Sequence, residues 1–405
     1  MMSMIKKEKN ITCKNMIRKI IERTQYLIYN YMINNHNYTR SIKLILNKNQ
    51  KETIDFWFRK CKNLYNVALQ EKIYYYQSTT KYLNVYEQKK ELVDVKDFDE
   101  TFKDVPNKAL QEIIFRVDKA YQGFFKGMGF PKYKSELNSI EFVKEDIRLK
   151  NGLLFLPKIK TAIKTFEDIK PNYLTVKLKK ENDNYFIILL YKEAVLTQPK
   201  KDLILGVDLG LKDLYSDSNG VKSGRFSLKL IKKYQDRIAE LNKSLSTKKK
   251  GSNRFKKVKK HLGKTYSRLK DSRNDFLHKK ANQLTNCDES YIALGDIKVQ
   301  SIIDSKKSKK GLVKSFYNSS LSIFKNYVSY KAIKKDKTLL KIDERNTSRT
   351  CSCCGNINNN LKLSDRIYHC LECENSIDRD VNAAINMKLL GSSILSSNFD
   401  KVVLM

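Results

Sequence analysis

Apolar residues fall along this chain in blocks of two different periods. Residues 41–47, Ser-Ile-Lys-Leu-Ile-Leu-Asn, alternate apolar with other residues, as a half-buried strand does. From Gln50 the step changes to three and four. Ile54, Phe56, Trp57, Cys61, Leu64, Tyr65, Ala68 and Leu69 then predict a helix with one apolar face. A second helix is predicted over Asn107–Phe125, where Leu110, Ile113, Ile114, Val117, Ala120, Tyr121 and Phe124 share a face. Pro106 suits its start; Gly123, Gly127, Gly129 and Pro131 suit its end. An acidic, basic and Tyr-rich segment of no clear period lies between the two. Residues 138–198 read as a small β region, with strands near 155–157, 173–178 and 185–191. Residues 1–39 are polar and basic, with an apolar stripe through Ile17, Ile20, Ile21 and Leu27. They suit a helical extension or a partly disordered one.

Pro199 and its flanking lysines mark a boundary. Beyond it, 203–208 is a continuous apolar run, the mark of a strand buried on both faces, and 214–216 begins its neighbour. Two helical patterns follow around a polar hinge at 244–252. In the first, Ile231, Tyr234, Ile238, Leu241 and Leu245 take the alternating steps of a packed helical hairpin. Further strands are predicted at 291–294 and 339–342, a helix at 312–332, and a last helix after Asp380.

Charge changes the picture. The chain has 405 residues, enough for two or three domains, and a formal net charge of +36. Repulsion of that size opposes compactness unless a polyanion neutralises it, so nucleic acid is the leading partner class. AT-rich codon usage also inflates Lys, but it does not leave acids this scarce. Residues 226–285 carry 19 basic residues against 4 acidic ones, so the hairpin reads as a phosphate-tracking arm. The longest apolar runs are far short of the ~20 residues of a membrane span. No signal-peptide core is seen. An intracellular protein with reduced thiols is expected, and no membrane partner.

Candidate chemistry sits in three places. Asp208 lies inside Leu-Ile-Leu-Gly-Val-Asp-Leu-Gly, and a carboxylate in a buried strand is costly unless it is paired or binds a cation. Gly206 and Gly210 on either side permit close approach. Asp378 and Asp380 open the final helix; Asp378 suits an N-cap, which leaves Asp380 to face the sheet. Three or more converging carboxylates are what phosphodiester hydrolysis by two divalent cations needs, and Mg²⁺ suits such oxygens. Cys351 and Cys354 form one C-x2-C, Cys370 and Cys373 another. That spacing matches a structural zinc ribbon whose four thiolates leave no open position. Cys353 is an extra thiol that competes with Cys354, though Gly355 favours Cys354 as the ligand. Cys13, Cys61 and Cys287 read as small apolar residues.

In this order the motifs resemble TnpB, the transposon-encoded RNA-guided nucleases related to Fanzor proteins and compact type V CRISPR effectors. The matching text is Leu-Gly-Val-Asp-Leu-Gly around Asp208, Thr-Ser-Arg-Thr-Cys-Ser-Cys-Cys-Gly at 347–355, and Asp-Arg-Asp-Val-Asn-Ala-Ala-Ile-Asn at 378–386. Segments 64–69, 129–134 and 326–332 resemble further family motifs, and the likeness covers about residue 40 to 390. The resemblance implies a mixed α/β and β architecture. An RNase H-like RuvC nuclease domain would span 200–405, with the basic hairpin at 226–285 and the zinc ribbon at 347–377. A wedge-like β domain would comprise 40–50 and 126–199, with a helical recognition domain at 51–125 and an N-terminal extension at 1–39. It also implies a guide RNA, target DNA with an adjacent short motif, two catalytic Mg²⁺ and one structural Zn²⁺, with one or two copies of the chain on each RNA. Asp208 and Asp380 would be the first and last catalytic acids.

One departure stands out. The second RuvC segment usually reads Glu-Asp-Leu, and here it is Gly295-Asp296-Ile297. Some family members carry the glutamate instead just before the Thr-Ser-x-x-Cys block, which here is Glu344. Glu344 is therefore assigned as the third acid, in a subgroup with a relocated glutamate; Asp296 is structural or a weak substitute. The expected function is RNA-guided, Mg-dependent DNA cleavage. A nuclease-inactive RNA-guided repressor is the alternative, and a DNA transposase proper is a third reading disfavoured by the cysteine block.

Overall fold

The computed structural model describes residues 33–196, 201, 203–296, 320–362 and 365–402, and these separate into two compact units, residues 37–193 and residues 194–405 together with those up to 36. The stripe through Ile17–Leu27 in numbers 17–27, the boundary at Pro199 and residues 312–319 of the expected helix lie outside the described residues. Among the described residues no helix is long and apolar enough to cross a membrane.

The first unit takes in β1 (Ile33–Ile45) from Asn37 on, and the strand starts well before the alternation at Ser41. Its first half, Ile-Asn-Asn-His-Asn-Tyr-Thr-Arg, has no apolar alternation to read. Long helix α1 (Lys48–Thr79) follows, begun by a capping box in which Asn47 and Gln50 satisfy each other's backbone N–H. Short helices α2 (Val85–Lys90) and α3 (Leu92–Phe98) fill the segment of no clear period, and α4 (Asn107–Phe125) agrees with its prediction. Then come β2 (Ser139–Phe142), β3 (Arg148–Lys150), β4 (Leu153–Phe155), β5 (Lys164–Thr165), β6 (Tyr173–Glu181) and β7 (Asn184–Leu196). The strand expected near 155–157 ends at Phe155. Asn151 and Gly152, both at positive φ, turn β3 into β4 as a two-residue hairpin.

Five strands form a sheet of order β2-β6-β7-β1-β5. The early half of β1 is held by long-range pairing rather than by its own sequence: Tyr38 stacks on Tyr191 of β7 at 5.3 Å. The sheet and both long helices share one core, from Ile42 and Leu44 through Trp57, Leu69 and Ile113 to Leu178 and Ile187. Cys61 is fully buried in it, and burial pushes its thiol up to about 12, as suits an inert apolar residue. The apolar pattern gave no hint of Lys72. It is fully buried on α1, ion-paired to Asp118 at 2.9 Å and donating to the Leu83 carbonyl at 2.7 Å.

The second unit contains β8 (Ile204–Leu209), β9 (Tyr215–Asp217), α5 (Leu228–Ser246), α6 (Asn253–Thr285), β10 (Tyr291–Gly295), α7 (Leu321–Lys334) and β11 (Thr338–Ile342). The order of its sheet is β11-β10-β8-β9. The β8–β10 and β10–β11 pairs are parallel; β9 runs antiparallel at the edge. A small hairpin, β12 (Ile367–His369) with β13 (Ser376–Asp378), leads into the last helix, α8 (Arg379–Val402).

Side-chain alternation along β8 divides its two faces. Leu205, Val207 and Leu209 pack with Leu277, Leu284, Phe324 and Val328 of α6 and α7. Ile204 belongs to the opposite layer with Ala293, Ile342 and Met387 of α8. Gly206 and Asp208 share that second face by period. Helix α8 presses so closely there that a Cβ on Gly206 would lie 2.0 Å from the Ala384 carbonyl oxygen. Gly391 reciprocates from α8, where a Cβ would stand 2.9 Å from that of Ala293.

Candidate active site and metal centre

The three acids arrive from three elements of the second unit. Asp208 is near the end of β8, on the α8 face. Glu344 follows the end of β11, two strands away. Asp380 is in the first turn of α8. The sheet order and the pressure of α8 on β8 bring them to one end of the sheet. Burial raises the Asp208 carboxyl to about 8, and the negative charges of Asp380 and Glu344 add to it, against the pull of Arg379 and the Leu209 N–H. Glu344 is likewise raised, first by burial, with Asp296 and Asp343 adding and Lys325 opposing. Such a group of acids carries charge that a divalent cation would neutralise. The acids are not drawn tight. Among the described residues, only the four cysteines bring three or more candidate ligand atoms within 4.8 Å of one another. A two-ion site, with its ions roughly 3.5–4 Å apart, needs a wider arrangement of carboxylates than a one-ion site.

Asp378 takes the capping role. Its Oδ1 accepts from the backbone N–H of Asp380 at 3.0 Å and Val381 at 3.2 Å, and its Oδ2 meets Lys222 Nζ at 2.5 Å. Burial alone would raise its pKa, but Lys222 and these amides hold it below the usual carboxylate range. Asp296, at the end of β10, donates its N–H to the Ile342 carbonyl at 2.8 Å and pairs with Lys325 of α7 at 2.5 Å. Gly295, where the resemblance would have put a glutamate, faces Glu344: a Cβ there would be 3.1 Å from Glu344 Oε2. The cradle that a side chain on β10 would fill is thus occupied by a carboxylate from the turn after β11.

The cysteines form a second centre. Cys351 Sγ is 3.7 Å from Cys373 Sγ, and Cys354 Sγ is 3.5 Å from Cys370 Sγ. A tetrahedron with Zn–S bonds of about 2.3 Å has S···S edges of about 3.8 Å, so the four thiols fit that ion. Two knuckles shape the cluster. Gly355, at φ +79°, donates to the Cys351 carbonyl at 3.0 Å, and Cys370 N–H reaches the Asn375 carbonyl at 2.9 Å. Burial opposes ionisation of Cys351, yet the N–H groups of Cys354 and Cys353 bring its thiol down to about 6. Cys353 is exposed, and its backbone N–H, not its sulfur, serves the cluster, reaching Cys351 Sγ at 3.4 Å.

The hairpin of α5 and α6 buries Ile231, Leu241 and Leu269 and leaves most of its basic residues exposed, though Arg273 is half-buried. Lys229, Lys232, Lys233, Arg237, Lys264 and Arg268 line one cleft along it. Three further groups near the acids had no signal in the apolar pattern: Lys222, Lys325 and the pair Asn382 and Asn386. The asparagines were detectable in principle, because two polar residues four apart on the apolar face of a helix need partners.

Comparison with known proteins agrees with this architecture. Residues 176–306 match the OrfB_IS605 family, described as "Probable transposase", and residues 322–387 match the Cas12f1-like TNB domain. Two relatives carry the name "Putative RNA-guided DNA endonuclease". One, from Streptomyces pristinaespiralis, is 27% identical over 299 residues, 71% of this chain and 72% of that protein. The other, InsQ of Escherichia coli (strain K12), is 25% identical over 356 residues, 83% of this chain and 88% of that protein. Cas12f1 in its complex with sgRNA and target DNA, solved by cryo-EM, superposes with a TM-score of 0.53 at 14% identity, covering 85% of this chain and 83% of that one. Fold and cysteine cluster together define a mixed α/β protein of the Cas12-like type with a zinc-ribbon-like insert. Within that class, the two family models and these relatives support a TnpB-family protein.

Proposed function

We propose that this chain is an RNA-guided DNA endonuclease. A guide RNA pairs with target DNA, and Asp208, Glu344 and Asp380 form the site that hydrolyses the phosphodiester bond with two Mg²⁺. The observation that carries this reading is the approach of three acids, from β8, the turn after β11 and α8, to one end of the sheet, where burial first, and then the charges of Asp380 and Glu344, raise the Asp208 carboxyl to about 8. The donor set is all oxygen, which suits Mg²⁺. Divalent cations, when bound, supply charge neutralisation to the attacking and leaving oxygens.

The chain's own residues do the rest. Asp208 and Asp380 hold their positions because α8 lies against Gly206, and Asp378 with Lys222 fixes the first turn that carries Asp380. Glu344 reaches the site from the turn after β11, through the space beside Gly295. The four cysteines would hold one Zn²⁺ that cross-links the ribbon and offers no open position to water. The basic cleft of the α5–α6 hairpin suits phosphates, and base pairing rather than protein contact would read most of the sequence. Residues 40–50 and 126–199 would act as the wedge and 51–125 as the recognition part, reading the short motif beside the target.

The test is cleavage of matching DNA by the purified ribonucleoprotein with Mg²⁺. Cutting that requires both guide match and Mg²⁺ supports the proposal. Binding without cutting overturns it in favour of the second reading, a guided repressor without nuclease activity, which the glycine at 295 would suit.

A further inference from the structure

The two asparagines of α8 join the acids to the cysteine cluster. Asn382 is fully buried and Asn386 nearly so, one helical turn apart on the same face. Asn386 Nδ2 donates to the Thr347 carbonyl at 2.8 Å and to the Thr350 carbonyl at 2.7 Å. Asn382 Nδ2 donates to the same Thr350 carbonyl at 2.7 Å, and its Oδ1 accepts from the Ser352 N–H at 2.9 Å. The strip they hold, Thr347 to Ser352, has Glu344 just before it and contains Cys351. At its upstream end, Thr347 closes a turn on Glu344: both its N–H, at 3.2 Å, and its hydroxyl, at 2.8 Å, donate to the Glu344 carbonyl. At its downstream end, Cys351 enters the thiol cluster.

We infer that Asn382 and Asn386 are positioning residues that fix Glu344 relative to Asp380, so that the geometry of the acidic site depends on an intact cysteine cluster. This inference rests on the nuclease reading above. The physical case is that Asp380 precedes Asn382 by two residues on the same rigid helix, while Glu344 lies on a turn outside any strand. A turn needs a second anchor to hold a carboxylate against its neighbours' repulsion, and the clamp is that anchor. Buried amides are costly unless bonded, so the clamp has one favoured register. Partners that orient metal ligands typically matter by about 10–100-fold in metal affinity. Coupling between two sites is also reciprocal, so loosening the thiol cluster should weaken the acidic site.

The test uses the full chain freed of nucleic acid, with Mn²⁺ as the probe, read by electron paramagnetic resonance. Zinc content is measured in parallel, together with hydrogen exchange at the Ser352 amide. Asn386→Asp keeps the size of the side chain but loses both donated bonds. It is expected to retain one zinc and to weaken Mn²⁺ binding by about 10–100-fold. Asn382→Ser, a milder change, should weaken Mn²⁺ binding less and speed exchange at Ser352; it decides the matter if Asn386→Asp does not fold. Chelation of zinc from the native chain should weaken Mn²⁺ binding as well. Folded variants with native Mn²⁺ affinity overturn the inference while leaving the nuclease reading intact. A native chain that binds no Mn²⁺ overturns the nuclease reading and this inference with it.

Discussion

The carboxylate of Glu344 stands where a side chain on Gly295 would need to be. A Cβ at Gly295 would lie 3.1 Å from Glu344 Oε2 and 2.9 Å from Met387 Cε. The glycine at the end of one strand and the glutamate just beyond the end of the next are two halves of one arrangement.

Exchange of the two should therefore be partly reversible. Glu344→Ala is expected to cut Mg²⁺-dependent cleavage about 100-fold, the effect of losing some 3 kcal/mol of transition-state stabilisation. Adding Gly295→Glu to Glu344→Ala should restore part of that loss, whereas Gly295→Glu alone should impair cleavage by crowding Glu344 and Met387. Full cutting by Glu344→Ala would remove Glu344 from the site.

The thiols make a prediction independent of cleavage. Cys370→Ser should lose stoichiometric zinc and lower the melting temperature. Cys353→Ser should retain both, because its sulfur lies outside the four-atom cluster. Elemental analysis of the two purified variants checks the ligand set.

Gly206→Ala tests the contact on which the site's geometry depends. Its Cβ would meet the Ala384 carbonyl at 2.0 Å and the Lys388 nitrogen at 2.6 Å, all backbone, so no side chain can turn away. Displacement of α8 is expected, with a loss of about 3 kcal/mol or more on denaturant unfolding, at the upper end of overpacking costs.

Glu91 in the first unit gives a pH dependence. Its hydrogen bond with Glu71, then burial, then the nearby charges of Glu71, Asp94 and Glu87, push its carboxyl up to about 7. A folded pKa above the unfolded value of about 4.3 means the fold favours the protonated form. That stability is fully present below the unfolded value and is lost as pH rises through about 7. Glu91→Gln should therefore raise the melting temperature at pH 8 and change it little at pH 4. A melting temperature for this variant that tracks the native chain at both pH values would refute the shared proton.

Much of this molecule was legible in its sequence, because the elements with strong periods are those that bury one face. The helix of Ile54 to Leu69, the helix Asn107–Phe125, the basic hairpin and the run ending at Asp208 all appear near their expected places. The first half of β1 had no apolar alternation and is fixed by pairing across the sheet. Lys72 was invisible because its burial depends on Asp118, a residue on another helix. The Asn151-Gly152 turn was readable and shifts the neighbouring strand away from Pro157.

By itself, the sequence determined which residue types lie at which spacing: two cysteine pairs, an acid at the end of a buried strand, another at a helix start, and an excess of positive charge. Those are local properties, set by covalent order and side-chain chemistry. The choice of Cys354 over Cys353 was already favoured by Gly355, and the tertiary structure agrees with it. Only the tertiary structure placed Glu344 beside Gly295 and bridged Asn382 and Asn386 to the strip between Glu344 and Cys351. These relationships join residues far apart in the chain, and their distances are set by how strands order in a sheet and how closely α8 can lie on Gly206. No local pattern encodes such distances.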